Sequence, residues 1–234
     1  MHTNLERVRE RIAAAAIRSG RKPAEITLVA VTKTHPPEVV AAAYELGLRD
    51  IGENRVEEAL RKQAVLPPDL RWHMIGHIQR RKARDVVGNF HLVHSVDSLR
   101  LAEELEKRAR AVNVLVDILL EVNVTGEASK YGFQATTPAE RDTLVAAAAA
   151  LTTLPSLRVR GLMTMAPFVA DPEETRPFFA AVRHLRERLR RELPAHEWAF
   201  LSMGMTNDFE VAIEEGATHV RIGTAIFGER ETPA

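Results

Sequence analysis

The chain has 234 residues, in which 32 lysines and arginines balance 32 aspartates and glutamates, and it contains no cysteine. Zero net charge supplies no global field to gather nucleic acid or an anionic membrane, so any anion site must be local. The missing cysteine excludes disulfides, thiolate nucleophiles, zinc ribbons and iron–sulfur ligation, and removes any sign of an oxidising compartment.

The opening MHTNLERVRE holds no apolar core of the kind a signal peptide needs, and the longest apolar run, 144–151, is too short to span a bilayer. A cytoplasmic protein with neither a membrane nor a nucleic-acid partner is expected. Leu5, Val8, Ile12 and Ala15 recur at helical spacing and predict a first helix ending near Gly20. Short apolar runs then alternate with charged, helix-periodic stretches. The runs at 26–31, 50–51, 72–75, 91–95, 115–122, 157–163, 198–202 and 219–222 are eight strand candidates. Helices are expected over 37–46, 54–64, 78–87, 98–111, 138–151, 172–192 and 206–215. Pro36-Pro37, Ser98 and Thr137-Pro138 suit helix starts, and Gly47 and Gly216 suit left-handed C-caps.

Regular βα alternation implies a parallel sheet, because parallel neighbours need a crossover and a helix supplies it. Eight units in a chain of this length predict a single α/β domain over 1–234, a (β/α)₈ TIM barrel with residues 1–20 packed on it as an extra N-terminal helix. The alternative, an open doubly wound sheet, is disfavoured by the lack of GxGxxG after the first strand and of any P-loop.

In such a barrel the active site lies at the carboxyl ends of the strands. The polar residues there are Thr32 and Lys33, Glu53 and Asn54, His77 and Gln79, Ser95, Asn123, Thr164, Ser202, and Arg221, Gly223 and Thr224. Lys33 follows an almost wholly apolar strand. Its amine either snorkels to solvent or, partly desolvated at the mouth, serves as an imine-forming nucleophile. SMGMT at 202–206 and RIGT at 221–224 follow the seventh and eighth strands, where barrels often hold phosphate; their glycines either only make tight turns or form a phosphate cup. A lysine and a cup on one face suggest pyridoxal 5′-phosphate (PLP) or a sugar-phosphate aldolase. Arg221 favours PLP, as a donor able to face a pyridine nitrogen. His77, Met163, Met203 and Gly204 are counted as facing the site. His73 and His77 are not expected to bind metal, because the intervening segment reads as strand, and Arg80 to Arg84 read as a solvated helix face.

The segments LVAVTKTHP, IGENRVEEA, WHMIGHIQRRKAR, EVNVTGEASKYGF, RGLMTMAPF and LSMGMTNDFEVAIEEGATHVRIGTAIFG together resemble the YggS/PROSC family, the PLP-binding proteins of PLP homeostasis, with an alanine-racemase-like barrel. The resemblance runs from the N-terminal helix to FGER. It implies that Lys33 holds PLP as a Schiff base, that Asn54 lies beside the ring, that Ser202, Gly223 and Thr224 hold the phosphate, and that Arg221 faces the pyridine nitrogen. Two departures are Arg80-Arg81, where the family usually has Asn after the Gln, and Thr206-Asn207, where it usually has Ser-Asp. Relatives that racemise amino acids carry a second, β-rich domain whose tyrosine acts as a second base across a dimer. This chain ends soon after its eighth strand and is expected to lack that domain; its tyrosines are Tyr44 and Tyr131. The resemblance therefore implies a non-catalytic, monomeric PLP carrier in vitamin B6 homeostasis, delivering PLP to apo-enzymes. The alternatives are a weak PLP-dependent amino-acid racemase and a Schiff-base aldolase.

Overall fold

The structure, a computed structural model, describes residues 1–228, so residues 229–234 of the expected domain lie outside it. Its strands are β1 (Thr27–Val31), β2 (Asp50–Glu53), β3 (Arg71–Met74), β4 (Leu92–Val96), β5 (Val116–Asn123), β6 (Phe133–Gln134), β7 (Leu157–Met163), β8 (Phe200–Ser202) and β9 (His219–Ile222). Eight of them follow round a ring, β1-β2-β3-β4-β5-β7-β8-β9, and the β1–β9 and β4–β5 pairings close it. Every pairing is parallel. All eight predicted strands are present. The additional β6 hangs on the end of β5, through Val122↔Phe133 and Asn123↔Gln134, and is too short to carry a periodicity in sequence.

The helices are α1 (His2–Arg18), α2 (Pro37–Glu45), α3 (Val56–Gln63), α4 (Ala83–Val86), α5 (Leu99–Ala111), α6 (Pro138–Leu151), α7 (Arg176–Glu192), α8 (Phe209–Glu214) and α9 (Thr224–Phe227). Predicted starts hold where the capping chemistry is explicit. Ser98 accepts from the Leu101 N–H, and Thr137 with Glu140 forms a reciprocal capping box ahead of α6. Gly47 and Gly216 follow α2 and α8 with φ of 82° and 96°. Where the prediction ran long, a turn intervenes: the 206–215 stretch yields helix only from Phe209, because the Asp208 carboxylate accepts from the Met205 N–H at 2.6 Å and folds 205–208 into a loop.

Most of the apolar core lies between the strands and the outer helices, with Ala30, Ile51, Leu120, Leu162 and Val220 fully buried. Inside the ring, Leu92, Leu119 and Met163 form a separate small cluster with Met165 and Phe200 against it. Gly161 makes the ring's close packing possible. Its φ is 156°, and a Cβ there would meet the Phe200 carbonyl oxygen at 1.9 Å. No other residue fits.

Helix α1 is the extra element. Leu5, Val8 and Ile12 are buried on one face, worth roughly 5–9 kcal/mol of gross hydrophobic free energy. It packs on α8 and α9, with Arg11 donating to Glu210 at 2.6 Å and Arg18 to Glu214 at 2.9 Å. Among the described residues no helix is long and apolar enough to cross a membrane, and no group of three or more His, Asp or Glu is arranged to hold a metal ion.

Candidate functional site

At the carboxyl end of the barrel lies a cavity of about 410 Å³, bounded by the segments after β1, β7, β8 and β9. This is within the usual size of small-molecule pockets, about 300–1,000 Å³. Lys33, Asn54, Arg221, Gly223 and Thr224 all line it, brought together from opposite ends of the sequence by the β1–β9 pairing.

Lys33 sits one residue past the buried Thr32 on a turn whose next residue, Thr34, has φ of 69°. That backbone is held from outside the barrel. Glu53 and Lys62, both buried, form an ion pair at 2.6 Å. Glu53 also accepts from the Thr32 hydroxyl at 2.6 Å, and Lys62 donates to the Thr32 carbonyl at 2.8 Å. Glu58 accepts from Lys62 at 2.8 Å and from the Thr34 N–H at 2.6 Å. Burial pushes the Glu53 carboxyl above its ordinary value, against the pull of Lys62 and Thr32. Glu53, a strand-end polar residue in the sequence, thus braces the Lys33 turn and does not line the cavity.

On the opposite wall, Gly223 opens the short turn of α9, and a Cβ there would meet the Val31 carbonyl oxygen at 3.2 Å. Thr224 follows, and Thr206 faces the same space, its hydroxyl accepting from the Ala225 N–H at 3.5 Å. Arg221 is buried, donating from Nη1 to Ser202 Oγ at 2.6 Å and from Nη2 to the Thr164 carbonyl at 2.9 Å. Burial pushes its guanidinium down to about 10, while Asp208 and Glu121 pull the other way, so it remains charged at neutral pH. Glu121 is buried beside it, and desolvation with the nearby Asp97 charge pushes its carboxyl up to about 7.

Ser202, expected to hold the phosphate, and the four residues counted as facing the site lie elsewhere. The Ser202 hydroxyl is fully buried and committed to Arg221 and to His94 Nδ1 at 2.8 Å, so it stands behind Arg221 and off the cavity wall. Met163 belongs to the cluster inside the ring, and Met203 to the outer core. Gly204 backs the wall: its φ is 92°, a Cβ would meet Ala212 Cβ at 2.6 Å, and its carbonyl accepts from the Arg221 N–H at 3.0 Å. His77 is exposed in a second, more open cleft, stacked on Tyr131 at 3.8 Å and bonded through Nδ1 to Asp97 at 2.9 Å.

The sequence reading placed Thr206 in the 202–206 cup segment without singling it out, and missed Asn207 and Phe168 as wall residues. Thr206, Asn207 and Phe168 line the cavity, and Phe168 stands on its rim at 87% exposure. Thr206 had a signal: it lies just before α8, the kind of place where backbone N–H groups gather for an anion, whereas Ser202 ends a strand. The wall therefore presents a primary amine, a fixed guanidinium, and a turn of small and hydroxyl residues, a set suited to a carbonyl compound that also carries an anionic group.

Comparison with known proteins follows the same line. The alanine racemase N-terminal domain family matches residues 3–231. A pyridoxal phosphate homeostasis protein of Aquifex aeolicus (strain VF5) is 46% identical over 228 residues, covering 97% of this chain and 97% of the relative. The structure of PipY from Synechococcus elongatus PCC7942 with PLP bound superposes with a TM-score of 0.80 at 38% identity, covering 94% of this chain and 100% of that one. An alanine racemase from Streptomyces coelicolor A3(2) shares the fold, with a TM-score of 0.68 at 22% identity over 95% of this chain and 58% of that one.

Proposed function

Because the chain belongs to the family of pyridoxal phosphate homeostasis proteins, built on the alanine racemase N-terminal domain, we propose that its cavity binds PLP on Lys33 and that the protein, a single-domain cytoplasmic monomer, limits free aldehyde and hands the cofactor to apo-enzymes. The observation that carries this reading is the convergence of Lys33, Arg221 and the Gly223–Thr224 turn on one cavity. The residues fit the group. Gly223 leaves a cradle that a side chain would fill, and Thr224 and Thr206 offer hydroxyls for the phosphate. Arg221, which can only donate, would meet the pyridine nitrogen, and Asn54 would flank the ring.

When bound, PLP supplies an aldehyde carbon to which a primary amine adds. The chain's own residues do the rest. The Glu53–Lys62–Glu58 brace holds the turn that presents the Lys33 amine. Arg221, charged at neutral pH, would keep a pyridine nitrogen facing it unprotonated, which would leave the ring a weaker electron sink.

Two-base racemisation needs acid–base groups on both faces of a substrate. Among the described residues neither tyrosine lines the cavity. Tyr44 donates to Asp69 on the outside of the barrel, and Tyr131 stacks on His77 in the other cleft. This supports a carrier over a racemase. The deciding experiment loads the purified protein with PLP, reduces it with borohydride and maps the labelled peptide, expected to contain Lys33. A parallel incubation with L-alanine in deuterated water should show no substantial α-proton exchange or D-isomer. Label on another lysine would sink the site, and robust Lys33-dependent D-isomer would make the protein an enzyme.

A further inference from the structure

The inside of the barrel holds a polar column that neither the cavity wall nor the apolar packing requires. His73 on β3, His94 on β4 and Ser202 on β8 are each at most 1% exposed. The column starts at the end remote from the cavity, where the Asp50 carboxylate accepts from Arg71 Nε at 2.7 Å and lies 3.0 Å from His73 Nε2. His73 Nδ1 is 2.9 Å from His94 Nε2, and His94 Nδ1 is 2.8 Å from Ser202 Oγ. Ser202 Oγ in turn accepts from Arg221 Nη1 at 2.6 Å, and Arg221 lines the cavity.

The direction of every bond in the column follows from what its ends can do. A guanidinium only donates, and an ionised carboxylate only accepts. Despite burial, hydrogen bonds from His73 and Arg71 hold the Asp50 carboxyl well below the usual carboxylate range, so it is ionised. His73 therefore carries a proton on Nε2, and because Ser202 Oγ already accepts from Arg221, the serine's own proton goes to His94 Nδ1. His94 then donates from Nε2 and accepts at Nδ1 from the Ser202 hydroxyl. The opposite direction would aim two donors at Ser202 and leave its own proton no acceptor in the column. Burial, with His73 and His219 beside it, keeps the His94 ring well below its ordinary value and hence neutral.

We propose that Ser202, His94 and His73 are positioning residues for Arg221, forming a one-way hydrogen-bond chain anchored on Asp50 that makes the Ser202 oxygen a fixed acceptor and aims the guanidinium at the cavity. The chain explains why a serine at this strand end touches no cavity space. It also explains why two histidines fill a layer of the barrel interior where apolar side chains would pack at no polar cost. The functional consequence rests on the reading of the cavity as a PLP site; the chain itself is a property of the protein without ligand.

The test uses the full-length protein with ¹⁵N-labelled histidine and arginine, first free of PLP. Long-range ¹H–¹⁵N spectra are expected to show His73 and His94 each carrying the proton on Nε2 with Nδ1 bare, and the Arg221 guanidinium rotating slowly. In Ser202→Ala and His94→Leu that rotation should become fast. In His94→Gln, whose amide offers one acceptor and one donor, it should stay slow. With PLP added, Ser202→Ala and His94→Leu should bind about tenfold more weakly, as expected for the loss of one charged hydrogen bond, with a shifted absorbance maximum. His94→Gln should stay within about threefold of the wild type. If His94→Leu fails to fold, Ser202→Ala and the wild-type ring protons still decide. A proton on Nδ1 of either histidine, or an Arg221 that rotates as slowly in folded Ser202→Ala as in the wild type, overturns the chain. A wild-type protein that takes up no PLP overturns the cofactor reading instead, while slow Arg221 rotation lost in Ser202→Ala would still support the chain.

Discussion

Lys33 and Lys130 stand at the mouth of the same barrel on loops built in contrasting ways. The Lys33 turn is tied to other elements by charge: the Glu53–Lys62 pair reaches Thr32, and Glu58 reaches Thr34. The Lys130 loop is tied mainly to itself. Asn123 Oδ1 accepts from the Thr125 and Gly126 N–H groups at 3.0 and 3.2 Å, and its Nδ2 donates to the Glu127 carbonyl. Lys130 pairs with Glu127 three residues away at 2.7 Å and reaches the Met165 carbonyl at 3.4 Å. An amine that must meet a small ligand reproducibly needs its backbone fixed to the scaffold. A loop stabilised by local turns holds its shape but not as firm a position relative to the rest of the barrel.

The largest way to break the contrast is chemical. Lys33→Ala should abolish borohydride-fixable PLP while leaving the fold intact, and Lys130→Ala should retain the label on Lys33; peptide mapping reads both. Next, Lys62→Met strands the Glu53 carboxylate in the interior and should cost ~3–5 kcal/mol in urea denaturation. Adding Glu53→Gln to it should recover part of that loss, since the uncompensated charge disappears. A smaller effect is expected for Glu58→Ala. It releases the Thr34 N–H and one contact of Lys62, and a loss of ~1–3 kcal/mol should come with slower reaction of Lys33 with PLP in stopped-flow absorbance. The smallest is Glu127→Ala, which removes an ion pair at the surface and should shift stability by less than ~1 kcal/mol by thermal melting, with Lys33 reactivity unchanged.

The barrel was readable because most strands contain a short apolar run and most crossovers carry explicit start or stop chemistry, as at Ser98, Thr137, Gly47 and Gly216. The cavity wall was readable where a residue's position follows from being just beyond a strand, as for Lys33, Asn54, Gly223 and Thr224. It was not where facing direction decides. Ser202 and Met163 end strands with their side chains inside the ring, and sequence position alone does not separate that from the cavity one turn further on. Met203 follows a strand and points to the outer core. His77 follows β3 as expected, but its bond to Asp97 and its stack on Tyr131 hold it over the neighbouring cleft. Nor was the histidine column readable, since it depends on three strands aligning their inward residues.

The packing of α1 on α8 sets a schedule for the molecule's birth on the ribosome. Arg11 and its partner Glu210 are 199 residues apart, so at roughly 5–20 residues translated per second the first helix waits ~10–40 s for the surface that covers its apolar face. A slightly shorter delay separates Lys33 from Arg221. A nascent chain therefore carries the amine long before the guanidinium and the Gly223 cradle exist. On the proposed reading of the cavity, selective capture of an aldehyde would begin only after β9 has closed against β1, which would make ring closure the checkpoint between a chain that merely contains Lys33 and one that can discriminate what the amine reacts with.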